Sequence, residues 1–236
     1  MIWNVPKIWK GEDVWIIGGG PSLTSTFQIP DDIVRKVRAK QLPLSAYSPF
    51  MEVLHDKHII GINVAYQLGD WVDMVFCGDQ HFVKLHEDRM YEFSGLTVTC
   101  HQVGQKPRWM KYVQRVNKGA RGGNITANTS QVCWNQTSGA AAINLAVHLG
   151  AARIILVAFD MCLEGNKQHW HNAYRTGSPD ITDPDEQKKK QKTIARHLST
   201  FPGIRHSLDR LGIPIYNVSP NSSITCIEKK TLEELL

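Results

Sequence analysis

The chain reads as an α/β protein, a mostly parallel sheet with helices on both faces, and three observations predict it. Short, mostly apolar runs such as "VWII" at 14–17 and "ARIILVAFD" at 152–160 have the character of strands buried on both faces. Segments of helical spacing alternate with them, as crossover connections between parallel strands require. Glycine-rich or polar residues follow the strands, which would gather them along one edge of the sheet. With 236 residues, the chain suits one domain.

The elements follow in order. The first strand ends in "GGGPSL", residues 18–23. Residues 31–41, "DDIVRKVRAKQ", predict a short helix. "HIIGIN" at 58–63 and "VDMVFCGD" at 72–79 are the second and third strands. Helical spacing of Phe82, Leu85, Met90 and Phe93 predicts a helix over 80–93, before a strand at 95–100. Residues 101–136 are rich in Gly, Asn and Lys and read as a loop region with one short strand near 111–116. A helix over 138–150 stops at Gly150, and the long apolar strand follows. Residues 161–182 show no periodicity and are expected to form a lid, a disordered connection being the alternative. Asp183-Pro184 opens a helix that runs to about residue 201 and resumes to 211. "IPIYNVSP" at 213–220 is the last strand, and "EKKTLEELL" is expected as a terminal helix.

Composition narrows the function. Hydrophobic residues make up 42% and charged residues 21%, a globular balance, and the net charge of +5 fits an anionic ligand such as a nucleotide. The five cysteines include no CxxC pair, so reduced thiols in a cytoplasmic protein are expected rather than a zinc ribbon. The amino terminus does not read as a signal peptide, and no apolar run approaches the roughly 18 residues of a membrane span. Lys188, Lys189 and Lys190 read as a solvated helix face. Aromatics do not interleave with basic residues as nucleic-acid stacking requires. A homo-oligomer is left open.

Four clusters carry the chemistry. Gly18, Gly19 and Gly20 would let backbone N–H groups reach an anion, with Ser22 capping the next turn. The loop matches neither the dinucleotide fingerprint nor the Walker A pattern, and a tight strand-to-helix turn without ligand is the alternative. Thr137, Ser138 and Gly139 stand at a helix N-terminus, where the dipole and open N–H groups favour a phosphate. A plain N-cap explains the same residues. Asp160 ends the long strand, and His169 and His171 follow. They suit metal ligation, with Asp79 or Asp160 completing a site, or general acid–base work, and a pair of surface histidines around Trp170 is the alternative. Asn63, Gly78 and Asp79 follow strands, and Asn221 and Ser222 follow the last one. All fall on the same predicted edge. Arg121, in "KGARGGN", is a candidate phosphate contact or part of a solvated loop.

Taken together, "IIGGGPSL", "GINVAYQLGDWVDMVFCGDQ", "TSGAAAINLAVHLGAARIILVAFDM" and "YNVSPNSSI" resemble a nucleotide-binding Rossmann-like fold shared by two groups. One is the bacterial sialyltransferases that use a CMP-activated sugar. The other is the 6-hydroxymethylpterin diphosphokinase-like family, which includes flagellin-modifying accessory factors. The ordered match covers residues 13–82 and 136–222, and the "HWH" segment is similar to short phage proteins, so a phage or prophage origin is expected. The sialyltransferase resemblance implies that Gly18 through Ser22 and Asn63 contact the nucleotide. It also implies that Thr137, Ser138 and Gly139 surround the phosphate and sugar, and that His169 or His171 is the base. The diphosphokinase resemblance implies Mg²⁺ on ATP phosphates at Asp79, with Asp160 nearby. The expected function is therefore a transferase with a nucleotide-activated donor, of sialyltransferase-like type. An Mg²⁺-dependent pyrophosphokinase and a non-catalytic phage assembly or binding protein that kept the fold are the alternatives.

Overall fold

The structure, a computed structural model, describes residues 2–101, 109–119, 124–174 and 180–236. In chain order the strands are β1 (Asp13–Ile17), β2 (His58–Ile62), β3 (Met74–Cys77), β4 (Leu96–Thr99), β5 (Lys111–Tyr112), β6 (Gln114–Val116), β7 (Gln131–Cys133), β8 (Arg153–Val157), β9 (Ile215–Asn217) and β10 (Glu228–Lys229). The helices are α1 (Leu23–Thr26), α2 (Asp31–Arg38), α3 (Gln80–Tyr91), α4 (Ser138–Leu149), α5 (Pro184–Leu198) and α6 (Phe201–Leu211).

Eight strands form one sheet in the order β10-β9-β8-β1-β2-β3-β4-β5, and every pairing is parallel. The chain steps outward from β1 to β5, then returns to the other flank of β1 at β8. The strand order therefore reverses between β1 and β8, and their carboxyl ends frame the crevice where α/β sheets bind ligands. This is the α/β Rossmann-like arrangement that the alternating pattern predicts. β6 and β7 form a separate two-stranded parallel sheet.

The apolar character of β1 has a direct cause. Val14, Trp15, Ile16 and Ile17 are each at most 1% exposed, because both faces of the strand are covered. Val14, Ile16, Ile60, Phe76 and Ile154 pack on one side with residues of α4 and α6. Trp15, Ile17, Ile59, Val75 and Ile155 pack on the other with α2, α3 and two 3-10 stretches, Leu44–Leu54 and Asn63–Leu68. The helix α4 is buried on nearly every side, and Gly150 ends it at φ +100°, the left-handed stop its sequence predicts.

Three expectations need correction. The tail does not form a helix. Glu228 and Lys229 pair with Tyr216 and Asn217 as an edge strand, and turns follow. Nine residues with helical propensity cannot sustain a helix alone when an open sheet edge offers backbone partners. The region 101–136 carries more structure than one strand: β5 extends the main sheet, and β6 turns away to pair with β7. The expected lid is partly a fixed wall. Trp170, His171 and Asn172 are buried at 1%, 3% and 7% exposure, and Lys167 bridges to Asp180.

One buried side chain holds the loop region against α4. Asn144 is fully buried, and its Oδ1 accepts from the Thr126 and Cys133 amides at 3.0 Å each. Its Nδ2 donates to the Thr126 carbonyl at 3.2 Å. Asn144→Ala would strand two buried amides. The expected loss is about 3 kcal/mol of unfolding free energy, read by urea denaturation. An unchanged midpoint would show that the loop is held otherwise.

Candidate functional site

The glycine run is explained first by packing inside the protein. The Gly18 and Gly20 amides donate to the Val157 and Ala158 carbonyls at 2.8 and 2.9 Å. A Cβ on Gly18 would stand 2.7 Å from the Ala158 carbonyl oxygen. One on Gly20 would lie 2.6 Å from the same oxygen and run into the Asp160 carboxylate. What approaches this backbone is the loop after β8. Gly19 differs: its amide has no such bond, and its Cβ position faces the His169 ring at 3.1 Å from Nδ1.

Asp160 is the centre of this contact. It is 2% exposed, and its Oδ2 accepts from the Ser22 hydroxyl at 3.0 Å and the Ser22 amide at 3.4 Å. Burial raises its pKa, and the Ser22 bonds oppose the rise. Ser22 is itself buried, so it braces Asp160 instead of standing in the cavity. Ser222 works one layer behind: its hydroxyl donates to the Phe159 carbonyl at 2.6 Å, and Ser219 Oγ accepts from the Phe159 amide at 2.8 Å. The Asn221 carbonyl faces the Cys162 thiol. Asn221 and Ser222 thus support the β8 loop and do not line the cavity.

The loop's backbone carries strain. Ala158 (φ +56°) and Met161 (φ +48°) are left-handed without being glycine, and Asn63 (φ +53°) and Gln136 (φ +68°) join them on the cavity wall. Such residues cost of order 1–3 kcal/mol each and persist only where the surroundings impose them.

The two histidines have different environments. His169 Nδ1 donates to the Gly19 carbonyl at 2.9 Å, which leaves Nε2 as the unprotonated nitrogen. Burial is the main cause that lowers its pKa to about 4, so the ring is neutral near pH 7. It lines the cavity. His171 stacks parallel on it, centroids 5.1 Å apart, but is 3% exposed and lies outside that cavity. The strap is pinned from below. The Arg38 guanidinium donates to the His169 carbonyl at 2.6 Å and pairs with Asp180, and Trp170 Nε1 donates to the Gly18 carbonyl at 2.9 Å.

A cavity of 710 Å³ opens at the carboxyl ends of the strands, within the range that holds drug-sized ligands. The structure brings Gly18, Gly19, Gly20, Asn63, Gly78, Asp79, Thr137, Ser138, Gly139, Asp160 and His169 together on its wall. Thr137 Oγ1 caps α4 by accepting from the Ala140 amide at 3.0 Å. Ser138 Oγ accepts from the Gly78 amide at 3.0 Å and so ties α4 to the end of β3. Asp79 is exposed and N-caps α3, its Oδ1 accepting from the His81 amide at 2.7 Å. It lines the same cavity as Asp160. Among the described residues, no group of three His, Cys, Asp or Glu stands in metal-binding array.

Several wall residues escape sequence reasoning. Arg115, from β6, lies over the Trp134 ring at 4.9 Å, and a Cβ on Gly78 would run into that ring. Lys190, Thr193, Ile194 and His197 line the cavity from α5 at helical spacing. The lysine triplet was therefore only partly a solvated face, since Lys190 turns inward. The spacing 190, 193, 194, 197 was the available signal. Arg115, Lys190 and Arg196 outnumber the carboxylates of Asp79 and Asp160 on the wall, which favours an anionic occupant. Arg121 lies outside the described residues.

Two outcomes test this geometry. Gly20→Ala is expected to cost about 3 kcal/mol by thermal or urea unfolding, because backbone and a buried carboxylate must move. Gly19→Ala should stay within about 1 kcal/mol, since only an imidazole must shift; equal losses would refute the assignment. Stability should also fall on acidification. His169 takes its proton near pH 4 in the fold and near 6.5 unfolded. The unfolded chain therefore binds more protons between those values. The contribution is complete above pH 6.5 and is lost as pH falls toward 4, about 3 kcal/mol from this residue, and His169→Phe should flatten that slope.

No family model matches the chain, and no curated protein matches it. Among solved structures, the crystal structure of the Bacillus cereus enoyl-acyl carrier protein reductase with NADP+ and indole naphthyridinone aligns with 90% of this chain and 73% of its own. The identity is 10% and the TM-score 0.29. A likeness at that level adds nothing to what the strand order shows.

Proposed function

We propose that the chain is a nucleotide-dependent transferase of sialyltransferase-like type, taking a nucleotide-activated sugar as donor. The observation that carries this reading is the position of His169: a neutral imidazole, tautomer set by the Gly19 carbonyl, on the wall of a cation-rich cavity at the switch point of the sheet. In this reading the glycine loop and Asn63 hold the nucleotide. The N-terminus of α4, with Arg115, Lys190 and Arg196, balances the charge of the departing nucleotide phosphate. His169 Nε2 takes the proton of the acceptor hydroxyl, and the anion bound beside it raises its basicity toward the working pH.

A second reading has its own observation. Asp79 and Asp160 border the same cavity, and Mg²⁺ needs only one or two carboxylates besides substrate phosphates. Those two residues would hold Mg²⁺ in a pyrophosphokinase, where the ion would neutralise a triphosphate.

A thermal-shift panel of CMP, UDP, GDP, ADP and ATP, each with and without Mg²⁺, tests both. CMP is expected to stabilise the protein without metal, by about 2.7 kcal/mol at a hundredfold excess over Kd, a shift of several degrees. His169→Ala should keep that shift and lose transfer. An ATP response that requires Mg²⁺ would replace this reading with the second. Silence across the panel would leave the assembly or binding role.

A further inference from the structure

The helix α5 carries charges that its own stability does not explain. It holds no buried residue, and five of its residues are basic: Lys188, Lys189, Lys190, Lys192 and Arg196. Lys190 turns into the main cavity. At about 100° per residue, Lys189, Lys192 and Arg196 fall within about 60° of one another, with about 4.5 and 6 Å of rise between them. All three are exposed. Lys192 thus has Lys188 and Arg196 one turn away on either side and Lys189 beside it. Each of these like-charge neighbours opposes helix formation. Elsewhere an exposed cation has an acid one turn away: Lys36 reaches Asp32 at 3.2 Å, and Arg205 reaches Asp209 at 2.8 Å. On α5, Lys188 reaches Asp185 at 3.9 Å, whereas Lys189, Lys192 and Arg196 enter no ion pair among the described residues. Arg196 also lines the main cavity, so the stripe leads from the outer face of α5 to the cavity mouth.

We propose that the outer face of α5 docks the acceptor, and that this acceptor is a linear acidic oligosaccharide. Its carboxylates take Lys189, Lys192 and Arg196, and its terminal hydroxyl enters the cavity that His169 lines. Charge complementarity selects an anionic chain, because no carboxylate interrupts the stripe from Lys188 to Arg196, and Asp185 bounds it one turn earlier. A single-stranded nucleic acid suits the face less well. α5 carries no aromatic side chain on which bases would stack, whereas the hydroxyls of a sugar chain stay hydrated. The like-charge stripe costs the free helix stability that an anionic occupant returns. Its role as acceptor site rests on the transferase reading; the docking does not.

The test is titration calorimetry of the full chain with oligogalacturonate, its methyl ester and oligothymidylate, at low and raised ionic strength, each with and without CMP. Oligogalacturonate is expected to bind and to weaken with salt, and the uncharged methyl ester should not bind. Lys192→Glu should weaken oligogalacturonate about tenfold at low salt. The same change places an acid between Lys188 and Arg196, so it should hold or raise the melting temperature and keep the CMP shift. Lys10→Glu makes the same change of charge beside Gly150, at the other end of α4, and should leave oligogalacturonate affinity unchanged. An equal loss in Lys10→Glu would reduce the effect to net charge and overturn the proposal. Tighter binding of oligothymidylate would also overturn it, and would make the partner a nucleic acid. Oligogalacturonate binding without a CMP response would sink the transferase reading alone, and a CMP response without oligogalacturonate binding would sink the docking surface alone.

Discussion

The contact between the glycine loop and the loop after β8 is the constraint on which the rest of the site depends. Gly18 and Gly20 admit the Ala158 carbonyl and the Asp160 carboxylate at distances that a side chain would close off. Ser22 then holds Asp160 from the other side. The two strands where the chain order reverses are thereby clamped together at their carboxyl ends. This clamp, together with the Ser219 and Ser222 bonds to the Phe159 backbone, enforces the left-handed backbone at Ala158 and Met161.

The same clamp orients the chemistry. The Gly18 and Gly19 carbonyls point at the strap that carries Trp170 and His169, and each accepts one hydrogen bond from it. Arg38 holds the strap at the His169 carbonyl. The imidazole is thus fixed in tautomer and place by backbone groups, and burial keeps it uncharged. Neutrality matters because cations outnumber carboxylates on the rest of the wall. A charged His169 would meet the repulsion of Lys190 and Arg38, which adds to burial in keeping the ring neutral.

The helix α5 completes the arrangement from outside the core. It has no buried residue, yet one stripe of it faces the cavity. Its stability rests on local devices: Asp183 caps it by accepting from the Asp185 amide at 2.9 Å, and Pro184 opens it. Lys190 and Arg196 thus stand on a helix held mainly by local bonds, while Arg115 comes from β6.

The sequence by itself determined the strand-and-helix alternation, the parallel sheet and the edge on which the site lies. Apolar runs buried on both faces leave no other reading for β1 and β8, and N-caps such as Thr137 are local effects. It also pointed to Gly19, Asn63, Asp160 and His169, because those residues follow strands, and to Thr137 and Ser138, because they open a helix. Only the tertiary structure decided the roles. Gly18 and Gly20 answer to the β8 loop, Ser22 and Ser222 to buried bonds, and Asp79 to the cap of α3. Arg115 reaches the cavity through β6, which leaves the main sheet to pair with β7, and Lys190 through the rotation of a helix. His169 and His171 look alike in the chain and differ in the fold, where one lines the main cavity and the other does not. Periodicity and capping act within a few residues, so a sequence displays them. A contact between residues 20 and 160 depends on which strands become neighbours, and that is settled only when the sheet assembles.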